Sequence, residues 1–294
     1  MSEHYLKVNN AEICYEIDGS GPFIVCVPGG NGGAKIFRRF RDLLVKHFTV
    51  VLYDRRGYFR SQFTGPLDHA NRITTDVDDL YQLMTHLTNE KFIIFGVSAS
   101  GALLMKYIET YPETISKMFA HEPMLFVDNF KGIDKHLQDH HHLLKVLTTE
   151  GKNGSLDILG QKYLNRLDWS ILVDGQRHEK FNHWNYWIEH ESKQYPFAKL
   201  DWDTIKTRKN ILVILYGIDS VGFLITELVA GIAKRLDKET FPLPGGHVGF
   251  YSHHKAFTTE FIEICKARSL FLKPSPTSEP SPFSDPLLLD RSKL

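Results

Sequence analysis

The chain has 294 residues, of which 42% are hydrophobic and 24% are charged, and its formal net charge is zero. This length and composition allow one large buried core, and the balanced charge excludes a broad electrostatic attraction to nucleic acid or to an anionic membrane. No apolar run approaches the length of about 18 residues that a membrane-spanning helix needs, so no membrane span is expected.

Apolar and polar residues alternate near the start of the chain as in a β-hairpin, over Tyr5–Val8 and Glu12–Ile17. Further along, short apolar runs alternate with longer runs of helical spacing. The predicted strands are Phe23–Val27, Thr49–Tyr53, Phe92–Phe95, Lys117–His121, Ile211–Tyr216 and Thr240–Leu243. The predicted helices are Ile36–His47, Arg72–Leu87, Ala102–Tyr111, Leu224–Leu236 and Ala256–Ala267. This alternation predicts an α/β fold with a mostly parallel sheet flanked by helices and a ligand site beyond the carboxyl ends of the strands.

Residues 122–203 interrupt this alternation and predict an inserted helical lid, between core segments 1–121 and 204–270. The lid segment holds all four tryptophans of the chain, Trp169, Trp184, Trp187 and Trp202. Such aromatic surfaces suit a roof over a small apolar substrate, although packing within the lid's own core is the simpler interpretation for any single residue.

The run from Gly96 to Gly101, Gly-Val-Ser-Ala-Ser-Gly, joins a predicted strand to a predicted helix. A nucleophile elbow places a serine on such a strained turn, and the residues two before and two after it must be small. Gly96 meets this requirement, and Ser100 is small, although glycine is usual there. The pattern predicts Ser98 as a nucleophile, with a tight turn that carries no chemistry as the alternative.

An activated serine needs a base and an acid that orients the base. Asp219 follows a buried apolar run, and His247 lies on a glycine-flanked loop after the last predicted strand. The predicted catalytic residues are therefore Ser98, Asp219 and His247, in the chain order nucleophile, acid, base. Glu122 also follows a predicted strand and is the alternative acid.

With these motifs the chain resembles the α/β-hydrolase superfamily over nearly all of residues 4–270. The run that begins Pro28-Gly29-Gly30-Asn31 resembles the glycine-rich loop after the third strand of that family, although a histidine usually stands in place of Pro28. The resemblance implies an oxyanion hole formed by the backbone N–H groups of Gly30 and Ala99, with Asn31 as the alternative to Gly30.

The resemblance implies an enzyme that cleaves an ester or a thioester through an acyl-enzyme on Ser98. An acyltransferase with the same triad and a non-catalytic binder of small molecules on a hydrolase scaffold are the alternatives. No cofactor is implied. His136 and His140 would share one helix face, but no acidic or cysteine ligand is suitably spaced, so no metal is expected.

The final residues, 271–294, are rich in proline and serine and predict a loose tail. The tail ends in Ser292, Lys293 and Leu294, the tripeptide that the peroxisomal import receptor binds. A peroxisomal location is expected, and the three cysteines, which have no metal-type spacing, agree with a reducing compartment. In length, elbow and terminal tripeptide, the chain is similar to peroxisomal hydrolases of fungal toxin pathways, of the Alternaria host-selective toxin type. This similarity implies an acyl-CoA substrate and a role in secondary metabolism.

Overall fold

The computed structural model describes residues 2–127, 163–174 and 183–268, together with single residues between 138 and 160. Within these residues, one nine-stranded sheet forms the centre of the molecule. Its strands are β1 (His4–Val8), β2 (Ala11–Gly19), β3 (Phe23–Val27), β4 (Thr49–Tyr53), β5 (Gln62–Phe63), β6 (Phe92–Val97), β7 (Ile115–His121), β8 (Leu212–Gly217) and β9 (Thr240–Leu243). They lie in the order β1-β2-β4-β3-β6-β7-β8-β9, with β5 paired to β2.

The sheet is parallel from β4 to β9 and antiparallel only where β2 pairs with β1, β4 and β5. Parallel neighbours need long crossover connections, which the helices supply. All six residues of β6 are buried because helices cover both faces of the sheet. The predicted α/β fold with a mostly parallel, helix-flanked sheet is confirmed, whereas the short strand β5 was not predicted.

The helices of the described residues are α1 (Arg38–Leu44), α2 (Arg72–Leu87), α3 (Ser100–Thr110), α4 (Arg166–Trp169), α5 (His183–Tyr186), α6 (Trp202–Thr207), α7 (Leu224–Leu236), α8 (Gly249–Ser252) and α9 (His254–Lys266). Helices α2 and α7 begin and end where hydrophobic spacing predicts. The predicted helix Ile36–His47 is instead a 3₁₀ turn, Ala34–Phe37, followed by α1. Each helix in this part of the chain is too short or too polar to cross a bilayer.

The sheet separates two apolar layers. Val25 and Val27 of β3 pack into the layer that holds α2, α3 and α7, whereas Ile24 and Cys26 pack into the layer that holds α1 and α9. This division follows from the two-residue period of a strand. Because both faces are packed, the carboxyl ends of the central strands are held in fixed positions.

The chain between β7 and β8 forms what we call the insert, defined as residues 163–174 and 183–207. It contains α4, α5, α6 and two π-helical turns, Ser170–Asp174 and Trp187–Glu191. Trp187, Tyr195 and Trp202 are buried in the same apolar layer as α3. Residues 128–137, most of 139–162 and 175–182 of the predicted lid lie outside the described residues, as do the side chain of Trp184 and the predicted tail with Ser292, Lys293 and Leu294.

Candidate active site

Ser98 lies on the turn between β6 and α3 and has a φ angle of 61°. A residue with a side chain is strained in this left-handed region, so other contacts must hold it there. Its N–H donates to the carbonyl of His121 at 3.2 Å, and its carbonyl accepts from the N–H groups of Gly101 at 2.9 Å and Met124 at 2.8 Å. Ser98 therefore has the strained strand-to-helix turn that an elbow requires.

Small residues around Ser98 allow the strand and the helix to approach closely. A Cβ atom on Gly96 would lie 2.7 Å from Ser100 Oγ, and one on Gly101 would lie 2.7 Å from Pro123 Cβ. Ser100 fits at a position where glycine is usual because its buried hydroxyl donates to the carbonyl of Val97 at 2.8 Å. This hydrogen bond thus accommodates serine at a position where glycine is usual.

His247 lies on the loop between β9 and α8, and its Nδ1 atom is 2.7 Å from Glu122 Oε2. Both side chains are buried. The other oxygen of Glu122, Oε1, accepts the N–H of Gly217 at 2.7 Å. Burial alone would raise the pKa of Glu122, but the hydrogen bond and the charge of His247 outweigh it and lower the pKa, so the group is a carboxylate.

The predicted acid, Asp219, is not the partner of His247. It follows β8 in a 3₁₀ turn, and its side chain is exposed. Glu122 is placed better because it follows β7, the strand that pairs directly with β6. The register aligns Val97 with His121, so the next residues, Ser98 and Glu122, lie side by side at the carboxyl edge of the sheet. In the structure, His247 is therefore paired with Glu122 and not with Asp219.

The glycine-rich loop after β3 packs against the Ser98 turn. A Cβ atom on Gly29 would lie 2.8 Å from Ser98 Cβ and 3.5 Å from the nitrogen of Ala99. A Cβ atom on Gly30 would lie 2.7 Å from Nε1 of Trp187, which belongs to the insert. Ala99 directly precedes α3, where the first backbone N–H groups have no acceptor within the helix. The glycine-rich loop and the start of α3 are thus adjacent.

Two buried residues near His247 were not identified from the sequence. His121 Nε2 is 3.2 Å from the carbonyl oxygen of Gly246, and burial lowers the pKa of His121 to about 4. Asp168 of the insert accepts the backbone N–H of His247 at 2.7 Å, and burial raises its pKa. In the sequence, Asn165 followed by Asp168 signals only the start of a helix, which Asn165 caps.

Within the described residues, no group of three or more histidines, cysteines or acids is arranged to hold a metal ion. His136 and His140 lie outside those residues. Cys14, Cys26 and Cys265 are buried free thiols.

Known proteins share this architecture. A model of the alpha/beta hydrolase fold family matches residues 22–145. YraK of Bacillus subtilis (strain 168), described as an uncharacterized hydrolase, is 28% identical over 268 residues, which cover 88% of this chain and 94% of YraK. A thermophilic esterase from Thermogutta terrifontis superposes with a TM-score of 0.72 at 15% identity, over 92% of this chain and 100% of the esterase. The thioesterase domain from the curacin biosynthetic pathway superposes with a TM-score of 0.62 at 14% identity, over 90% of this chain and 99% of that domain.

The chain has the alpha/beta hydrolase fold. The match of residues 22–145 to the family model and the similarity to a hydrolase over most of the chain agree with this fold. The two solved structures have low sequence identity with the chain, and they show the fold that it shares with an esterase and a thioesterase.

The low pKa of His121 predicts a loss of stability in mild acid. The unfolded chain binds a proton at His121 near pH 6.5 and the folded chain near pH 4, so the unfolded state is favoured increasingly as the pH falls through this interval. Between pH 7 and pH 4 this residue removes about 3 kcal/mol from the free energy of unfolding. Urea unfolding of the wild type and of His121→Gln at both pH values measures the difference. Equal pH dependence in the two proteins would contradict the expected titration.

Proposed function

We propose that the protein is a serine hydrolase that cleaves an ester or a thioester through an acyl-enzyme. The observation that carries the proposal is the buried bond between His247 Nδ1 and Glu122, adjacent to the strained turn of Ser98. A carboxylate on Nδ1 fixes the proton on that nitrogen and leaves Nε2 as the basic atom of the ring. Nε2 would then accept the proton of the Ser98 hydroxyl.

The proposed reaction begins when Ser98 Oγ attacks the carbonyl carbon and His247 takes the hydroxyl proton. Glu122 stabilises the imidazolium, and the N–H groups of Gly30 and Ala99 stabilise the oxyanion. The imidazolium protonates the leaving group, and a water molecule activated by the same ring then hydrolyses the acyl-enzyme. Among the described residues, no hydrogen bond joins the Ser98 hydroxyl to His247; such bonds are often long before substrate binds and tighten in the complex.

We propose a small apolar acyl group as the part of the substrate that the site recognises. Trp187 lies against Gly30, and Phe126 stacks on Phe197 of the insert with ring centroids 5.0 Å apart. These aromatic side chains make this side of the site apolar, and they carry no charge that would attract a polar acyl group. The fold shared with an esterase and a thioesterase supports an oxygen or a sulfur leaving group, and an acyl-CoA thioester in peroxisomal secondary metabolism fits the sequence-based expectation.

A fluorophosphonate probe tests the nucleophile. The wild type is expected to form a covalent adduct on Ser98, detected by intact mass and located by peptide sequencing, because the probe reacts with an activated serine hydroxyl. Ser98→Ala is expected to form none. Ser100→Ala, which removes a buried hydroxyl two residues away, is the matched control and is expected to react. A wild type that stays unlabelled beside a reactive control enzyme would instead favour a binding protein on this scaffold.

Substitution of each acid separates the two candidates for the orienting group. Glu122→Gln is expected to lower the rate of ester hydrolysis by about 10²- to 10⁴-fold, because the amide no longer fixes the ring or stabilises its charge. Asp219→Asn is expected to leave the rate within about threefold of the wild type, since this side chain is exposed. Initial rates with a p-nitrophenyl ester report both effects. A large loss in Asp219→Asn with none in Glu122→Gln would reverse the assignment.

We also propose that the chain is imported into peroxisomes through Ser292, Lys293 and Leu294. A fluorescent protein fused ahead of the full chain is expected to collect in peroxisomes of a eukaryotic host cell. Removal of the three terminal residues is expected to leave the fusion in the cytosol, with a co-expressed peroxisomal marker as the reference. Import of the truncated fusion would refute this targeting.

A further inference from the structure

Two fully buried carboxylates of the insert, those of Asp168 and Glu191, reach the two loops that carry the proposed catalytic groups. Asp168 contacts the loop of His247 directly, and Glu191 is linked to the loop of Gly29 and Gly30 through an arginine. A buried carboxylate is costly unless its oxygens receive hydrogen bonds or pair with cations. The hydrogen-bond partners of these two carboxylates therefore indicate what the insert does.

Within the described part of the chain, Asp168 receives its hydrogen bonds from N–H donors. Its Oδ2 atom accepts from the backbone of His247 at 2.7 Å and from Asn165 Nδ2 at 2.6 Å, and its Oδ1 atom accepts from the backbone of Val248 at 3.3 Å. A Cβ atom on Gly246 would collide with the same Oδ2. The loop therefore needs a glycine at 246 to approach the carboxylate, and its backbone is fixed on both sides of the Cα atom of His247.

Glu191 acts on the other loop through Arg55. Its Oε2 atom accepts from Arg55 Nη2 at 2.7 Å, and the same Nη2 donates to the carbonyl of Gly29 at 3.1 Å. Arg72 lies 3.3 Å from Glu191 Oε1, and Asp76 pairs with Arg55 at 2.7 Å. The positive charges of two guanidinium groups thus balance the negative charges of two carboxylates in a buried network. Arg55 connects this network to the loop with the proposed oxyanion donors.

We propose that Asp168 and Glu191 are positioning residues: the insert holds the histidine loop and the oxyanion loop in place, and so completes the active site as well as covering it. This inference rests on the proposed function. Neither carboxylate touches a reacting atom; each acts through a loop backbone. Because the two carboxylates hold different loops, loss of one should loosen one loop and spare the other.

Isosteric variants test this separation. Asp168→Asn places an NH₂ group against N–H donors, and Glu191→Gln does the same beside Arg55 and Arg72. Asp201→Asn is the matched control because Asp201 caps α6 of the same insert, accepting the N–H of Thr204 at 3.0 Å, and asparagine caps a helix equally well. All variants are compared with the full-length wild type by amide hydrogen exchange and by the rate of reaction with the fluorophosphonate probe.

The expected pattern is specific to each loop. Asp168→Asn raises exchange over residues 244–250 by about tenfold and leaves residues 27–33 within about twofold of the wild type, and Glu191→Gln does the reverse. Each lowers the rate of probe reaction by about tenfold, whereas Asp201→Asn changes neither quantity. If a variant does not fold, Asn165→Ala and Arg55→Lys produce milder forms of the same two local effects, because each removes part of one contact set.

Unchanged exchange in both loops would overturn the inference, as would a uniform increase over the whole chain in the variants and their milder replacements. Faster exchange in a loop with an unaltered rate of probe reaction would also overturn it, since the loop would then move without consequence for the chemistry. A wild type that does not react with the probe refutes the proposed function, and the exchange pattern still decides whether the two carboxylates hold the loops.

Discussion

The buried hydrogen bond between Glu122 and His247 depends on the order of strands in the parallel sheet. Strand β6 pairs with β3 on one side and with β7 on the other, and the chain that follows β7 brings the carboxylate of Glu122 beside Ser98. Glu122 is in turn held by the N–H of Gly217, at the end of the next strand. Three neighbouring strand ends therefore define the position of one imidazole, and a slip in any strand register would separate the groups.

The strained backbone of the site is explained by the same arrangement. Ser98 and Glu122, which follow paired residues of β6 and β7, both have positive φ angles, 61° and 45°. Such conformations persist only where the surroundings determine them strongly. Here the surroundings are a sheet packed on both faces and an insert whose buried carboxylates reach the adjoining loops. Because the strand ends are rigid in the folded protein, the proposed catalytic groups keep a fixed geometry.

The sequence predicts those parts of the molecule that depend on local pattern. Hydrophobic spacing gives the bounds of α2 and α7, and the small residues around Ser98 predict its turn. The acid could not be chosen this way, because Asp219 and Glu122 both follow apolar strands and only the spatial order of strands and the burial of each side chain distinguish them. Asp168 and Glu191 were missed because their partners, His247 and Arg55, are 79 and 136 residues away in the chain. The terminal tripeptide stays a prediction.

A crystal structure of the full-length protein after reaction with a fluorophosphonate tests the central claim most directly. The account predicts a phosphonyl group on Ser98 Oγ, with Nε2 of His247 about 2.6 to 3.2 Å from a phosphonyl or serine oxygen and with Nδ1 still bonded to Glu122. The phosphonyl oxygen should face the N–H groups of Gly30 and Ala99. An adduct on another residue, or a ring turned from Glu122 toward Asp219, would contradict the account.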